Sequence, residues 1–175
     1  MAYDTVETPH DRRERQLGGA ATFFALAAGP AAGVRAVAVV GDDFAAADLD
    51  LLREHGVDLA GVERVTGPSF HWSGRYRADF IERDTLATEL GVFAGFQPRV
   101  PAAWIRSEYV FLANIHPALQ GEVLAAVQRP RLAVLDTMNL WIETTRPDLE
   151  RVLAGVDHFR QPVESSIGIG AANRL

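Results

Sequence analysis

"VRAVAVVG" (34–41), "DDFAAADLDLLREHG" (42–56) and "VDLAGVERV" (57–65) follow one another directly, and each has a different pattern. The first is almost continuously apolar and holds four valines, which suits a strand buried on both faces. The second opens with Asp42–Asp43 in a helix-capping position. It spaces Phe44, Leu49, Leu51 and Leu52 along an apolar side and stops at Gly56. The third reads as a strand with a turn at Ala60–Gly61. A strand, a helix and a strand in this order form the building unit of a parallel sheet.

The same rhythm extends in both directions. Upstream, Thr22–Ala28 reads as a helix that would bury well, broken by Gly29, Pro30 and Gly33, and residues 1–17 read as extended and polar. Downstream of Pro98, "EYVFLAN" (108–114) and "RLAVLDT" (131–137) read as strands. "PALQGEVLAAV" (117–127) and "PDLERVLAGV" (147–156) read as helices, with Pro117 and Pro147 at first-turn positions. Residues 65–97 break the rhythm. "SFHWSGRYRADF" (69–80) and "TLATELGVFAGF" (85–96) interleave aromatic and polar residues around Gly74, Gly91 and Gly95. That pattern predicts short antiparallel strands. The expected fold class is therefore α/β, a parallel sheet with flanking helices in a domain at 1–157, plus a small antiparallel lid inserted at about 62–97. Phe70, Trp72 and Tyr76 are expected to pack within the lid, sugar stacking being their alternative role. The tail "HFRQPVESSIGIGAANRL" (158–175) has no sustained period and is expected to be atypical, with disorder as one reading.

Composition narrows the function classes. The chain has 175 residues, enough for one domain with a sizeable core, and 48% of them are apolar. A net charge of -6 argues against a general nucleic-acid binder, which needs a basic face. Cysteine is absent, which removes disulfides, zinc–thiolate sites and cysteine nucleophiles. The start, "MAYDTVETPHDRRERQ" (1–16), lacks an apolar signal core and no apolar run reaches membrane-spanning length, so a cytoplasmic protein without a membrane partner is expected. The five histidines, at 10, 55, 71, 116 and 158, show no metal-ligand spacing and are expected to be structural or surface residues; no metal site is expected.

Gly18–Gly19 raises a question of its own, because glycine is a poor residue with which to begin a helix. Either the pair makes a tight turn, or something approaches the backbone closely. Taken alone it reads as a turn. Asp4 likewise reads as a turn or cap residue, and Asn114 as a strand-end turn or a polar contact. Asp136 stands at the carboxyl end of a predicted strand, where ligands of α/β proteins bind. "GIGAAN" (168–173) lacks the third glycine of a dinucleotide fingerprint.

The order "YDTVE", "LGGAATFFALAA", "VAVVGDDF", "LLREHGVDLAGV" resembles the amino-terminal part of the PfkB, or ribokinase-like, carbohydrate kinases. "FHWSGRY", "FLANIHP" and "VLDTMNLWI" extend the resemblance to residues 2–157. What it implies is transfer of the ATP γ-phosphate to a hydroxyl of a sugar or nucleoside, with Mg²⁺. By the same resemblance Asp4 hydrogen-bonds substrate hydroxyls, and Gly18 and Gly19 line the sugar site at the helix start. Thr22 falls near a position that the family often fills with Asn. Asn114, Asp136 and Asn139 are placed to face the cleft. Asp4, Gly18, Gly19, Asn114 and Asp136 are accordingly expected to converge at the carboxyl edge of the sheet, under a lid that could join two copies into a homodimer.

The sequence also departs from the family. An N-x-x-E segment, which would organise Mg²⁺ and phosphate, is not found, nor is a G-A-G-D segment carrying the anion-binding amides and the catalytic Asp. The resemblance therefore implies an expected truncation at both ends, no catalytic residue among those present, and no phosphotransfer by these residues alone. A non-catalytic remnant or sugar-binding module is the alternative to a kinase. An unrelated nucleotide-binding α/β protein is a third reading, disfavoured by the missing phosphate fingerprint.

Overall fold

The structure is a computed structural model that describes residues 1–78 and 83–160. It divides into two compact units, Met1–Phe96 and the chain from Gln97 onward.

In the first unit β3 (Val34–Gly41) and β4 (Val57–Val65) pair in parallel, joined by α2 (Ala46–Glu54). The expected turn at Ala60–Gly61 is instead a register shift within one continuous strand, where Arg35 pairs with Asp58 but Val37 with Gly61. Ala36, Val40, Phe44, Leu49, Leu52 and Val57 bury the apolar sides of this unit. α1 (Ala20–Ala28) packs through its small residues: Thr22 and Ala25 are buried, whereas Phe23 is 59% exposed.

Asp42 and Asp43 do not cap α2, which begins only at Ala46. The cap comes from elsewhere in the fold. The Tyr3 hydroxyl accepts from the Ala45 amide at 2.9 Å and donates to Asp48 in the helix's first turn at 2.6 Å. A tertiary contact thus satisfies a helix-terminal donor that no local side chain reaches.

The insert is not a hairpin on its own. β5 (His71–Tyr76) and β6 (Arg83–Glu89) are antiparallel, as expected, but β5 also runs parallel to β1 (Ala2–Glu7). With β2 (Arg12–Gly18) they form a four-stranded sheet in the order β2-β1-β5-β6. Residues 1–17, read as extended and polar, supply half of its strands, and residues 62–65 belong to β4 rather than to the insert. Phe70, Trp72 and Tyr76 are half-buried, and Phe70 meets Phe93 edge-on with centroids 5.9 Å apart.

In the second unit β7 (Tyr109–Leu112), β8 (Leu132–Asp136) and β9 (His158–Arg160) form a parallel sheet in that order. α3 (Pro117–Ala126), α4 (Asn139–Thr144) and α5 (Arg146–Leu153) accompany it. Leu112, Leu135, Ile142, Leu149, Val152 and Leu153 make the core. β9 corrects the reading of residues 158–160 as the start of a tail. Asp157 seeds it by exchanging bonds with Ala133 through both its amide (2.9 Å) and its carboxylate (2.8 Å), so the strand needs no apolar period of its own. The remainder of the expected tail, 161–175, lies outside the described residues. No helix among the described residues is long and apolar enough to cross a membrane.

Candidate functional site

Asp4 sits in the middle of β1, paired with Gln16 on one side and Trp72 on the other. Its half-buried carboxylate lies over Gly18 so closely that a Cβ at position 18 would overlap it. Burial pushes the Asp4 pKa above the ordinary value, while the Gly19 amide, which donates to the carboxylate, and the nearby His71 work in the opposite direction. Gly19 caps α1 with φ 91° and ψ 142°, a conformation open essentially to glycine alone. Its carbonyl accepts from Thr22 and Phe23 to start the helix. Gly18 thus leaves room for the Asp4 side chain, and Gly19 supplies the backbone angle at which α1 starts.

The structure thus brings Asp4, Gly18 and Gly19 together. Asn114 and Asp136 belong to the second unit, where both stand at the carboxyl edge of the sheet: Leu112 pairs with Leu135, and each chain passes its polar residue just beyond that pair. Asn114 accepts from the Trp141 indole at 2.8 Å. Gln120, 1% exposed on α3, was not anticipated. Its amide donates to the carbonyls of Leu112 (3.2 Å), Ala113 (2.9 Å) and Asp136 (2.9 Å), and so ties the two strand ends together. The Thr137 and Asn139 side-chain oxygens are buried at the same edge without a hydrogen-bond partner, as is the Thr22 hydroxyl on α1 in the first unit.

Asp43, read as a cap, instead anchors the chain entering β5. One carboxylate oxygen accepts from both the amide and the hydroxyl of Ser69, each at 2.7 Å, and the other accepts from Arg15 at 2.9 Å. Burial raises its pKa, but the Ser69 and Arg15 bonds together outweigh burial and hold the carboxyl below the usual range.

A Mg²⁺–ATP group, implied by the family resemblance, finds no donor set among the described residues: no three His, Cys, Asp or Glu side chains cluster there.

No protein-family model matches the sequence. No curated protein matches it either. Solved structures do. The fructokinase of Xylella fastidiosa, solved with bound ATP, matches with a TM-score of 0.65 at 18% identity, over 90% of this chain and 57% of its own. A nucleoside kinase of Methanocaldococcus jannaschii matches at 0.64 and 12% identity, over 91% of this chain and 57% of its own. The ribokinase of Thermotoga maritima matches at 0.61 and 13%, over 91% and 56%. The chain spans little more than half the length of these proteins. What they share with it, over nine-tenths of its residues, is architecture: the chain has the ribokinase-like fold.

Proposed function

We propose that this chain is the substrate-binding part of a carbohydrate kinase of the ribokinase-like type, taking a sugar or a nucleoside and serving ATP- and Mg²⁺-dependent transfer to one of its hydroxyls. The observation that carries the reading is the Asp4 carboxylate, half-buried above Gly18 and bonded to the Gly19 amide. A carboxylate held away from water, with acceptor capacity to spare, is matched by two adjacent hydroxyl donors, and the glycines leave room for the ring that carries them. Asn114 and Asp136 are proposed as further polar contacts from strand ends of the second unit. The solved neighbours include a fructokinase and a nucleoside kinase, which supports this substrate range. A cytoplasmic setting suits an ATP-dependent reaction on a small molecule. Val65, Leu86 and Leu90 are exposed apolar residues on and around the four-stranded sheet, which favours a homodimer through the lid.

A sugar-binding module without phosphotransfer is the second reading, favoured by the lack of any G-A-G-D or N-x-x-E string in these residues. Titration calorimetry with a panel of sugars and nucleosides tests the shared part. Binding is expected to the chain and to fall at least tenfold in Asp4→Asn. Equal binding by both proteins would remove the role given to Asp4.

A further inference from the structure

Trp141 stands on α4 next to Ile142, which belongs to the core of the second unit with Leu112, Leu135 and Leu149. Its indole is held at two points. The ring N–H donates to Asn114 Oδ1 at 2.8 Å, and the ring meets His116 with centroids 5.3 Å apart. His116 is itself fixed at the start of α3, where its Nδ1 accepts from the Ala118 amide at 3.2 Å. An indole N–H can only donate, so the Asn114 amide has to turn its oxygen toward Trp141 and its nitrogen away. That nitrogen makes no hydrogen bond among the described residues, and it is not one of the unpartnered atoms sealed from solvent. Asn114 is half-buried on the connection from β7 to α3, so its two N–H groups are free and held in one orientation. Two further oxygens at this edge, Thr137 Oγ1 and Asn139 Oδ1, also lack a partner, so the edge is polar beyond what the fold itself uses.

We infer that Trp141 is a positioning residue for substrate binding: it takes up the Asn114 oxygen and thereby makes Asn114 a hydrogen-bond donor to an acceptor oxygen of the sugar or nucleoside. The inference rests on the reading of Asn114 as a substrate contact. An amide without a fixed neighbour turns over and serves a ligand as donor or acceptor. Here a flip would set N–H against N–H and leave the indole without an acceptor, so one face is chosen in advance. A carboxylate at position 114 would keep the bond from Trp141 and offer the ligand acceptors only.

Asn114→Asp separates a donor to the ligand from a mere prop for the indole, because it keeps the shape and the Trp141 bond and removes the N–H groups. It is expected to melt with the wild type and to bind sugars or nucleosides at least about tenfold more weakly by calorimetry. Trp141→Phe keeps an aromatic ring beside His116 and removes the donor. It is expected to weaken binding roughly threefold to tenfold in the wild-type chain, and not at all in an Asn114→Ala background, where there is no amide to orient. Nuclear magnetic resonance reads the bond without any ligand. The indole N–H signal that vanishes in Trp141→Phe is expected to shift in Asn114→Ala and to stay hydrogen-bonded in Asn114→Asp. An unshifted signal in Asn114→Ala overturns the inference. So does Asp4-dependent binding that Asn114→Asp leaves intact, or that Trp141→Phe weakens equally in both backgrounds; the reading of Asp4 then stands. If no sugar or nucleoside binds in an Asp4-dependent way, the functional reading falls and the inference with it.

Discussion

Asp43 and Ser69 are joined twice at one oxygen, the serine amide and hydroxyl both donating at 2.7 Å. Ser69 is 2% exposed, and its hydroxyl also accepts from the Gly41 amide at 2.8 Å, so the pair holds the end of β3 to the entry of β5. Removing the carboxylate leaves buried donors without a partner, at a cost of about 1–3 kcal/mol. Asp43→Ala is therefore expected to lower unfolding stability in urea by about that amount. Arg15→Ala, which removes the exposed end of the network and the guanidinium over the Tyr3 ring, is expected to cost about 1 kcal/mol or less. Because the folded-state pKa of Asp43 is depressed, its contribution is present above the ordinary carboxylate value and lost as pH falls through the depressed one. The acid limb of the stability curve should accordingly flatten in Asp43→Ala. Equal costs for the two variants would mean that Ser69 finds water or another partner.

Asp4 has the opposite sign. Burial raises its pKa, so the folded chain binds that proton more tightly than the unfolded chain does. Its stabilising share is present below the unfolded value and is lost as pH rises through the raised one. At neutral pH the ionised carboxylate is a strain on the fold. Asp4→Asn is expected to melt at the same temperature as the wild type or higher, while losing substrate affinity. A melting temperature several degrees lower would show that the carboxylate holds the sheet together and is not kept for a ligand.

Gly18 and Gly19 separate the two uses of a glycine. Ala at position 19 must adopt φ 91°, which is expected to cost about 1–3 kcal/mol of stability. Ala at position 18 has an ordinary backbone but displaces the Asp4 carboxylate. Gly18→Ala is expected to reduce substrate affinity about as much as Asp4→Asn does, with the smaller stability loss of the two alanine variants. Thermal melts beside calorimetry distinguish them, and a Gly18→Ala protein with wild-type affinity would contradict the close-approach argument.

Local patterns in the sequence reveal the elements whose causes are local. β3 falls on the apolar run 34–41 residue for residue, and Pro117 starts α3 as its fixed φ suggests. Pairing between distant segments leaves no such trace. β2 carries a charged pattern because it is an exposed edge strand, and nothing local shows that the buried β1 lies beside β5. The same reasoning covers the site. Gly19 is legible because glycine is a backbone requirement there, whereas the approach of Asp4 to Gly18 exists only through strand register. Asp43 departs from its expected role because an acidic residue after a strand usually serves the next helix, and here Tyr3 takes that place. The short helix α4 leaves no local mark because six residues are too few to show a helical period.

Gln120 is the corresponding test in the second unit. Its amide serves three carbonyls at the ends of β7 and β8, from a position 1% exposed. Gln120→Met keeps the length and removes the donors, with an expected loss of about 1–3 kcal/mol. Gln120→Glu is expected to be worse, because an ionised carboxylate would face three carbonyl oxygens and can satisfy none of them. Its penalty should shrink as pH is lowered and the carboxyl gains a proton to donate. A Glu variant as stable as the wild type at neutral pH would show that the three carbonyls do not depend on this donor.

The last expectation concerns turnover. A sugar hydroxyl is a poor nucleophile at neutral pH, and a positioned general base typically contributes about a hundredfold to ten-thousandfold. Preorganised amides aimed at the transferring phosphate are often the larger contribution. In this family resemblance both are expected from G-A-G-D and N-x-x-E segments, and neither string occurs in these 175 residues. Asp43 is committed to Ser69 and Arg15, and Asp4 lies at glycines whose nearest amide it already occupies. The described residues also cluster no three metal-holding side chains that could organise a phosphate. These 175 residues by themselves are therefore expected to bind substrate without sugar- or nucleoside-dependent release of ADP from ATP in the presence of magnesium. A coupled ADP assay on the purified chain, with Asp4→Asn as the control, decides it. Turnover that requires the substrate, follows the purified chain and disappears in the control would mean that the catalytic groups are already present here in another form.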